Sequence, residues 1–272
     1  MLRLNRLFVL FSLPFLAAFW GCDMDKEIDL NLPEFESQLV VECYLENGKP
    51  YRATITESTS YFGRPEPILV PDATVIITHN GQADTLKFNP SYDLEARKIY
   101  THVSEKLVQG NVGDSYALQV FDSRGRRATG FTQFLPAIPI DSVQLSQNNE
   151  NKFSLLAQFT DPGAMQNFYR FQIHRDSLSD HKRISDVYSN DRLYNGQKYA
   201  FGTSYRLDPQ DTVFVTLYHM EPQYYDFISS MDEAQDANGN PFAQPSALKS
   251  TVQGGLGVFT TLSYDRKTVI LP

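Results

Sequence analysis

Residues 73–81 read ATVIITHNG. Ala73, Val75 and Ile77 share one face, and a period of two marks a half-buried β-strand. Asn80-Gly81 then closes the run. This pair favours a type I′ hairpin, because both central residues must take positive φ. The same alternation recurs along the chain. It places Leu39, Val41, Cys43 and Leu45 together in QLVVECYLE, and Tyr116, Leu118 and Val120 together in SYALQVF. It groups Phe153, Leu155, Ala157 and Phe159 in KFSLLAQF, and Tyr169, Phe171 and Ile173 in YRFQI. In TVFVTLYH, Val213, Val215 and Leu217 oppose Thr212, Phe214, Thr216 and Tyr218. Asn47-Gly48 and Asn195-Gly196 separate further strand-like runs. Short strands at regular spacing, with no helices between them, predict a mainly β chain of antiparallel, Ig-like sandwiches.

One segment breaks the pattern. Residues 221–237 read EPQYYDFISSMDEAQDA. Pro222 suits a first helical turn, and Tyr224, Phe227, Ile228, Met231 and Ala234 recur at steps of three and four. Asn238-Gly239 ends the run, so an amphipathic helix is expected over 221–237. Pro136 and Pro139 in FLPAIPIDSV favour an extended link. The expected organisation is a sandwich at 36–135 and a β-rich domain with the helix at 140–272.

The N-terminus has a different character. Arg3 and Arg6 precede an uncharged run from Leu7 to Phe19, and Gly21 stands directly before Cys22. The run is shorter than the roughly 20 residues of a spanning helix, and Pro14 interrupts it. Residues 1–21 are expected to be a lipoprotein signal cleaved before Cys22, whose thiol is then acylated. Phe19 and Trp20 are bulkier than usual in such a signal, and a plain secretory signal is the alternative reading. After Cys22 the chain turns polar and acidic (DMDKEIDLN), which favours a tether over 22–35. Acyl chains contribute about 0.8 kcal/mol per buried methylene, enough together for stable membrane anchoring.

The 272 residues carry 24 lysines and arginines against 32 acids, a net charge of −8. Loss of Arg3 and Arg6 with the signal would bring it to −10. An acidic balance excludes a general nucleic-acid binder. Two cysteines exclude a disulfide scaffold, and Cys43 is expected to be a small buried hydrophobe.

Chemical motifs are sparse. His79, His102, His174, His181 and His219 have no metal-ligand spacing. Nucleophile elbow, P-loop and dinucleotide fingerprints are missing. Asp236, Asn238 and Asn240 imitate a calcium loop, but Pro241 and Ala247 stand where its glycine and glutamate belong. No catalytic residue, metal or cofactor is expected, and the chain reads as a non-enzyme. The candidate ligand or partner contacts are Tyr225, Phe242 in NPFAQP, and Gly254 and Gly255 in GGLGVF. The plainer alternative makes Phe242 a plug and the two glycines a turn.

Several stretches recur in a known order. They include PEFESQLVVECYLENGKPY, VPDATVIITHNG, FTDPGAMQNFYRFQI, LYNGQKYAF and DTVFVTLYHMEPQYYDF, followed by NPFAQP and GGLGVF. In this order they resemble the Bacteroidetes lipoprotein family of domain of unknown function 4249, over nearly the whole chain after Cys22. Cys43 departs from the pattern, standing where a glycine is expected. The resemblance implies an outer-membrane lipoprotein encoded near TonB-dependent transporters, and it supplies no catalytic residue. The expected function is therefore a lipid-anchored accessory of a TonB-dependent transporter or envelope complex, displayed at the cell surface. A surface carbohydrate- or peptide-binding module and an envelope hydrolase are the alternatives.

Overall fold

Alternation builds the strands in the structure, a computed structural model that describes residues 36–60, 66–94, 97–237 and 247–272. Cys22, the expected signal and tether, and Phe242 lie outside these residues. Strand β1 (Leu39–Glu46) buries every second residue, and β2 (Pro50–Glu57) continues the pattern. A two-residue β3 (Ile68–Leu69) pairs with β2. Next come β4 (Thr74–His79), β5 (Gln82–Asp93), β6 (Lys98–Leu107), β7 (Ser115–Phe121) and β8 (Arg127–Gln133). The second half holds β9 (Ile140–Gln147), β10 (Phe153–Thr160), β11 (Phe168–Arg175), β12 (Arg183–Asn190), β13 (Lys198–Gly202) and β14 (Thr212–Met220). Helix α1 (Pro222–Ala237) follows, then β15 (Val252–Gln253) and the fifteen-residue β16 (Leu256–Ile270). Among the described residues the chain is mainly β with one long helix, and that helix lies where its periodicity put it.

The strands form two sheets. One runs β12-β11-β14-β16-β1-β2-β6-β5-β4-β7-β8-β15, with β3 beside β2. The other is β13-β10-β9. The β1–β16 ladder is parallel, and the remaining ladders between described strands are antiparallel. Strand β5 serves two neighbours, pairing with β4 through its first half and with β6 through its second. The large sheet thereby curls around one core made by β1, β2, β4, β7 and β8. A second core lies between β11, β14 and the three-stranded sheet. Phe159 is its hub, with the rings of Tyr169, Phe171, Tyr194, Tyr199 and Phe201 around it.

The cores change near the linker at 136–139, but packing does not end there. Val252 and Phe259 belong to the first core, while Val269 packs against the second. Strand β16 is the connection. Its first half pairs with β1 and its second half with β14. Ser37–Pro272 accordingly forms one compact unit.

The three Asn-Gly pairs have three different outcomes. Asn80 and Gly81 both take positive φ, 50° and 75°, as a type I′ hairpin between β4 and β5 requires. At Asn47-Gly48 only the glycine is left-handed, at 79°, so the β1–β2 turn is of another type. The Asn47 side chain is used elsewhere, exchanging two hydrogen bonds with the Gly110 backbone at 2.8 and 2.7 Å. Asn195-Gly196 makes no hairpin at all. Its flanking strands β12 and β13 belong to different sheets, and the turn is fixed by a buried carboxylate.

That carboxylate is Asp161, in the FTDPG stretch. It accepts from the Gly196 amide at 2.7 Å, from Asn167 Nδ2 at 3.3 Å and from the Tyr169 hydroxyl. The Asn167 amide nitrogen donates to Asp191 at 2.7 Å. His219 Nε2 meets Asn167 Oδ1 at 3.1 Å, and its Nδ1 meets the Pro136 carbonyl at 2.8 Å. Asp161, Asn167 and Asp191 are each about 2% exposed or less. This network ties the 136–139 link to β11, β14 and the Asn195-Gly196 turn.

Cys43 sits in the first core, 1% exposed. Burial, with the Glu42 charge beside it, pushes its thiol up to about 12. The thiolate is the reactive form, so a buried thiol with a raised pKa is inert. In protein carrying Cys22→Ala, an aromatic disulfide reagent at pH 8 should leave Cys43 unlabelled until guanidinium unfolds the chain. Rapid labelling of the native protein would mean that the β1–β2 core opens.

Candidate functional site

Because β16 joins the halves, seven strands from β12 to β6 share one continuous outward face. The residues alternating with the buried ones project from it. They include Glu42, Tyr44 and Glu46 on β1, Arg52 on β2, and Lys98 and Tyr100 on β6. Arg170, Gln172 and His174 on β11 join them, with Asp186 and Tyr188 on β12, Tyr218 on β14, and Leu262 and Arg266 on β16. Helix α1 walls one side with Tyr224, Phe227, Ile228 and Met231. The helix is held at its start by Glu221, whose carboxylate receives hydrogen bonds from the Thr132 hydroxyl and, at 3.1 Å, the Gln133 amide of β8. The groove measures about 600 Å³, a size suited to a small ligand.

Strand register orders the floor into rows. Arg170 lies opposite Tyr188 and Tyr218, and Tyr218 opposite Tyr264. In the next row Gln172 faces Asp186 and Thr216, and Thr216 faces Arg266. One step further, His174 faces Arg183 and Phe214.

Most of the charges are paired. Arg170 grips Asp186 with two hydrogen bonds, Nε to Oδ1 at 2.8 Å and Nη2 to Oδ2 at 2.7 Å. Its Nη1 donates to the Tyr224 hydroxyl at 2.9 Å, locking the helix to the sheet. Arg183 reaches Asp186 at 3.1 Å, and Gln172 Nε2 donates to the same carboxylate at 3.2 Å. Arg52 pairs with Asp93 at 3.1 Å, and Lys98 pairs with Glu42. The Tyr264 hydroxyl donates to Glu46 at 2.6 Å.

The titrating groups follow from these contacts. Burial alone would lift the Asp186 carboxyl, but the hydrogen bonds and charges of Arg170, with Arg183 and Gln172, hold it below the ordinary aspartate value. Burial raises the Tyr44, Tyr218 and Tyr224 hydroxyls, so they remain neutral donors. Burial, then the Arg183 and Arg266 charges, lower the His174 pKa and leave the ring neutral at pH 7. The groove thus offers hydroxyls, an amide and paired charges on a fixed surface. Among the described residues, no group of three His, Cys, Asp or Glu side chains could hold a metal ion.

The residues singled out from sequence lie elsewhere. Tyr225 is half-buried on α1, its ring 4.9 Å from Phe168 and 5.5 Å from Tyr188, and Asn190 donates to its hydroxyl at 3.4 Å. It packs beside the groove without lining it. Gly254 and Gly255 stand where β15 turns into β16. A Cβ on Gly254 would lie 2.3 Å from the Arg127 carbonyl oxygen, and one on Gly255 2.7 Å from that of Leu39. Their part is close backbone packing, and the structure does not gather them with Tyr225. The groove residues themselves were missed. Their signal was present in the polar half of each alternation, where β1 carries Glu42, Tyr44 and Glu46 and β11 carries Arg170, Gln172 and His174.

No curated protein matches the chain. Solved structures give distant likenesses. A chain from a cytokine receptor complex is 11% identical with a TM-score of 0.25, covering 66% of this chain and 83% of that one. A DUF4785 family protein from Legionella pneumophila subsp. pneumophila is 14% identical, with a TM-score of 0.23, and 66% of this chain matches 52% of it. Dimeric latent PorU from Porphyromonas gingivalis is 11% identical with a TM-score of 0.21, and 68% of this chain matches 19% of it. Scores this low carry no argument about function. The family model described as domain of unknown function DUF4249 matches residues 25–268, and the chain belongs to that family.

Proposed function

We propose that the chain is a non-enzymatic binding protein of a Bacteroidetes outer membrane, anchored by lipid on Cys22, that holds a polar ligand in the groove. In this reading it works as an accessory of a TonB-dependent transporter or envelope complex. The single observation that carries the binding role is the groove itself, a rigid floor of tyrosines and paired charges. Asp186 favours recognition over acid catalysis, because a general acid needs a carboxyl raised toward neutral pH and its carboxyl is held low. The Gly21-Cys22 pattern and the family resemblance support the anchor and its setting.

Titration of the detergent-extracted protein with neutral and acidic oligosaccharides tests the binding role. Tyr100→Ala, which removes a half-buried groove ring over which Arg52 sits at 4.2 Å, should weaken binding at least about tenfold and leave folding intact. Equal binding by the variant and the parent would overturn the assignment of the groove. The same preparation tests the anchor, since Cys22→Ala should release the protein from the membrane fraction.

A further inference from the structure

We infer that the groove ligand is an acidic saccharide whose carboxylate seats on the guanidinium of Arg266. The inference rests on the reading of the groove as a ligand site. Arg52, Lys98, Arg170 and Arg183 each face a carboxylate of the protein. Arg266 has none within ion-pair reach among the described residues. Its Nε donates to Thr216 Oγ1 at 2.9 Å, and its guanidinium lies 4.5 Å from the centre of the Tyr264 ring. Glu46, another acid of the groove, is already engaged by the Tyr264 hydroxyl. These two contacts fix the plane of the guanidinium and leave both terminal amines without a protein acceptor among the described residues. A planar fork held in place with its outer donors open is suited to a carboxylate taken through two hydrogen bonds. Because the side chain is already ordered, binding costs little further entropy.

His174 is a second, independent observation at the same end. It lines the groove one row from Arg266, is 4% exposed, and its Nδ1 has no hydrogen-bond partner. Buried polar atoms are normally satisfied, and those left open call for an explanation.

The class of ligand follows from what the groove presents. Its site lies on the face of a sheet, where the backbone hydrogen bonds are already used in the ladders. Extended peptides usually dock on a sheet edge, where those groups are free. Here recognition falls to the hydroxyls of Tyr44, Tyr100, Tyr218 and Tyr224 and to the amide of Gln172. Such donors and acceptors match a polyhydroxylated ring, and Arg266 adds the demand for an acid.

The test is calorimetric titration of the full-length, detergent-extracted protein with trimers of galacturonate, glucuronate and mannuronate. Their methyl esters and tetraglutamate serve as comparisons. At least one uronate trimer should bind, and its uncharged ester should bind about tenfold more weakly or worse. Arg266→Met should cause a similar loss with an unchanged melting temperature, and Arg266→Lys should recover part of it. Tetraglutamate binding as tightly as the uronates would overturn the saccharide class in favour of an acidic peptide. Ester binding that Tyr100→Ala weakens and Arg266→Met does not would overturn this inference and leave the groove standing as a ligand site. Failure of every probe would overturn both.

Discussion

Gly257→Ala should cost the protein more than about 3 kcal/mol and abolish its cooperative thermal transition. Gly257 has φ of 115°, a conformation that side chains with a Cβ rarely adopt. A Cβ added there would stand 1.9 Å from the Val41 carbonyl oxygen and 3.0 Å from the Val41 nitrogen. Both obstacles are backbone, so neither can swing aside. The clash falls at the Val41–Gly257 pair, in the ladder that joins β1 to β16. Relief therefore means parting the strands that connect the two halves of the sheet. Domains are stable by only about 5–15 kcal/mol, so a loss of this size leaves little folded protein. Gly48→Ala is the control. Its φ is 79°, but a Cβ there meets nothing within 4 Å, so the cost should be near 1 kcal/mol. Circular dichroism melts of both variants check the contrast, and a Gly257→Ala melt within a few degrees of the parent would refute it.

Asp161→Ala should lower stability by about 2–5 kcal/mol in urea titrations, from two buried donors left without an acceptor. The substitution leaves the Tyr169 hydroxyl and the Gly196 amide without their acceptor, while Asn167 Nδ2 keeps the Pro162 and Met165 carbonyls and Asp191. Tyr169 is wholly buried, so solvent cannot replace the lost bond. Asp161→Asn should be milder, because an amide oxygen can still accept from one of the donors. A cost below about 1 kcal/mol for the alanine variant would show that the network is not what holds the Asn195-Gly196 turn.

The strands were readable because alternation is a local property. Ala73, Val75 and Ile77 need no distant information to declare a face, and neither do Tyr169, Phe171 and Ile173. The helix was readable from the spacing of Tyr224, Phe227 and Ile228. Asn80-Gly81 formed the expected turn, but Asn195-Gly196 did not, because a carboxylate more than thirty residues upstream claims the glycine amide. The groove was hidden for a related reason. Periodicity assigns Tyr44 and Arg170 each to the polar side of a strand, but it does not say that both strands lie in one sheet. That depends on β16 pairing with β1 and β14 together, a choice made by packing far from either segment. Sequence attention went to Tyr225 and to the glycines, which are locally unusual, whereas the groove is made of residues that look ordinary one strand at a time.

The parallel union of β1 and β16 also sets an order of events. Its partners are roughly two hundred residues apart in the chain. Pairings of such separation close late and slowly, because the loop entropy must be met before the contacts form. A nascent chain can assemble the β4–β5 and β7–β8 hairpins as they appear, but β1 must wait with one edge open until β16 has been made. The groove, whose floor crosses that seam, is complete only once β16 has joined β1. Until then the open edge of β1 is a place for wrong partners.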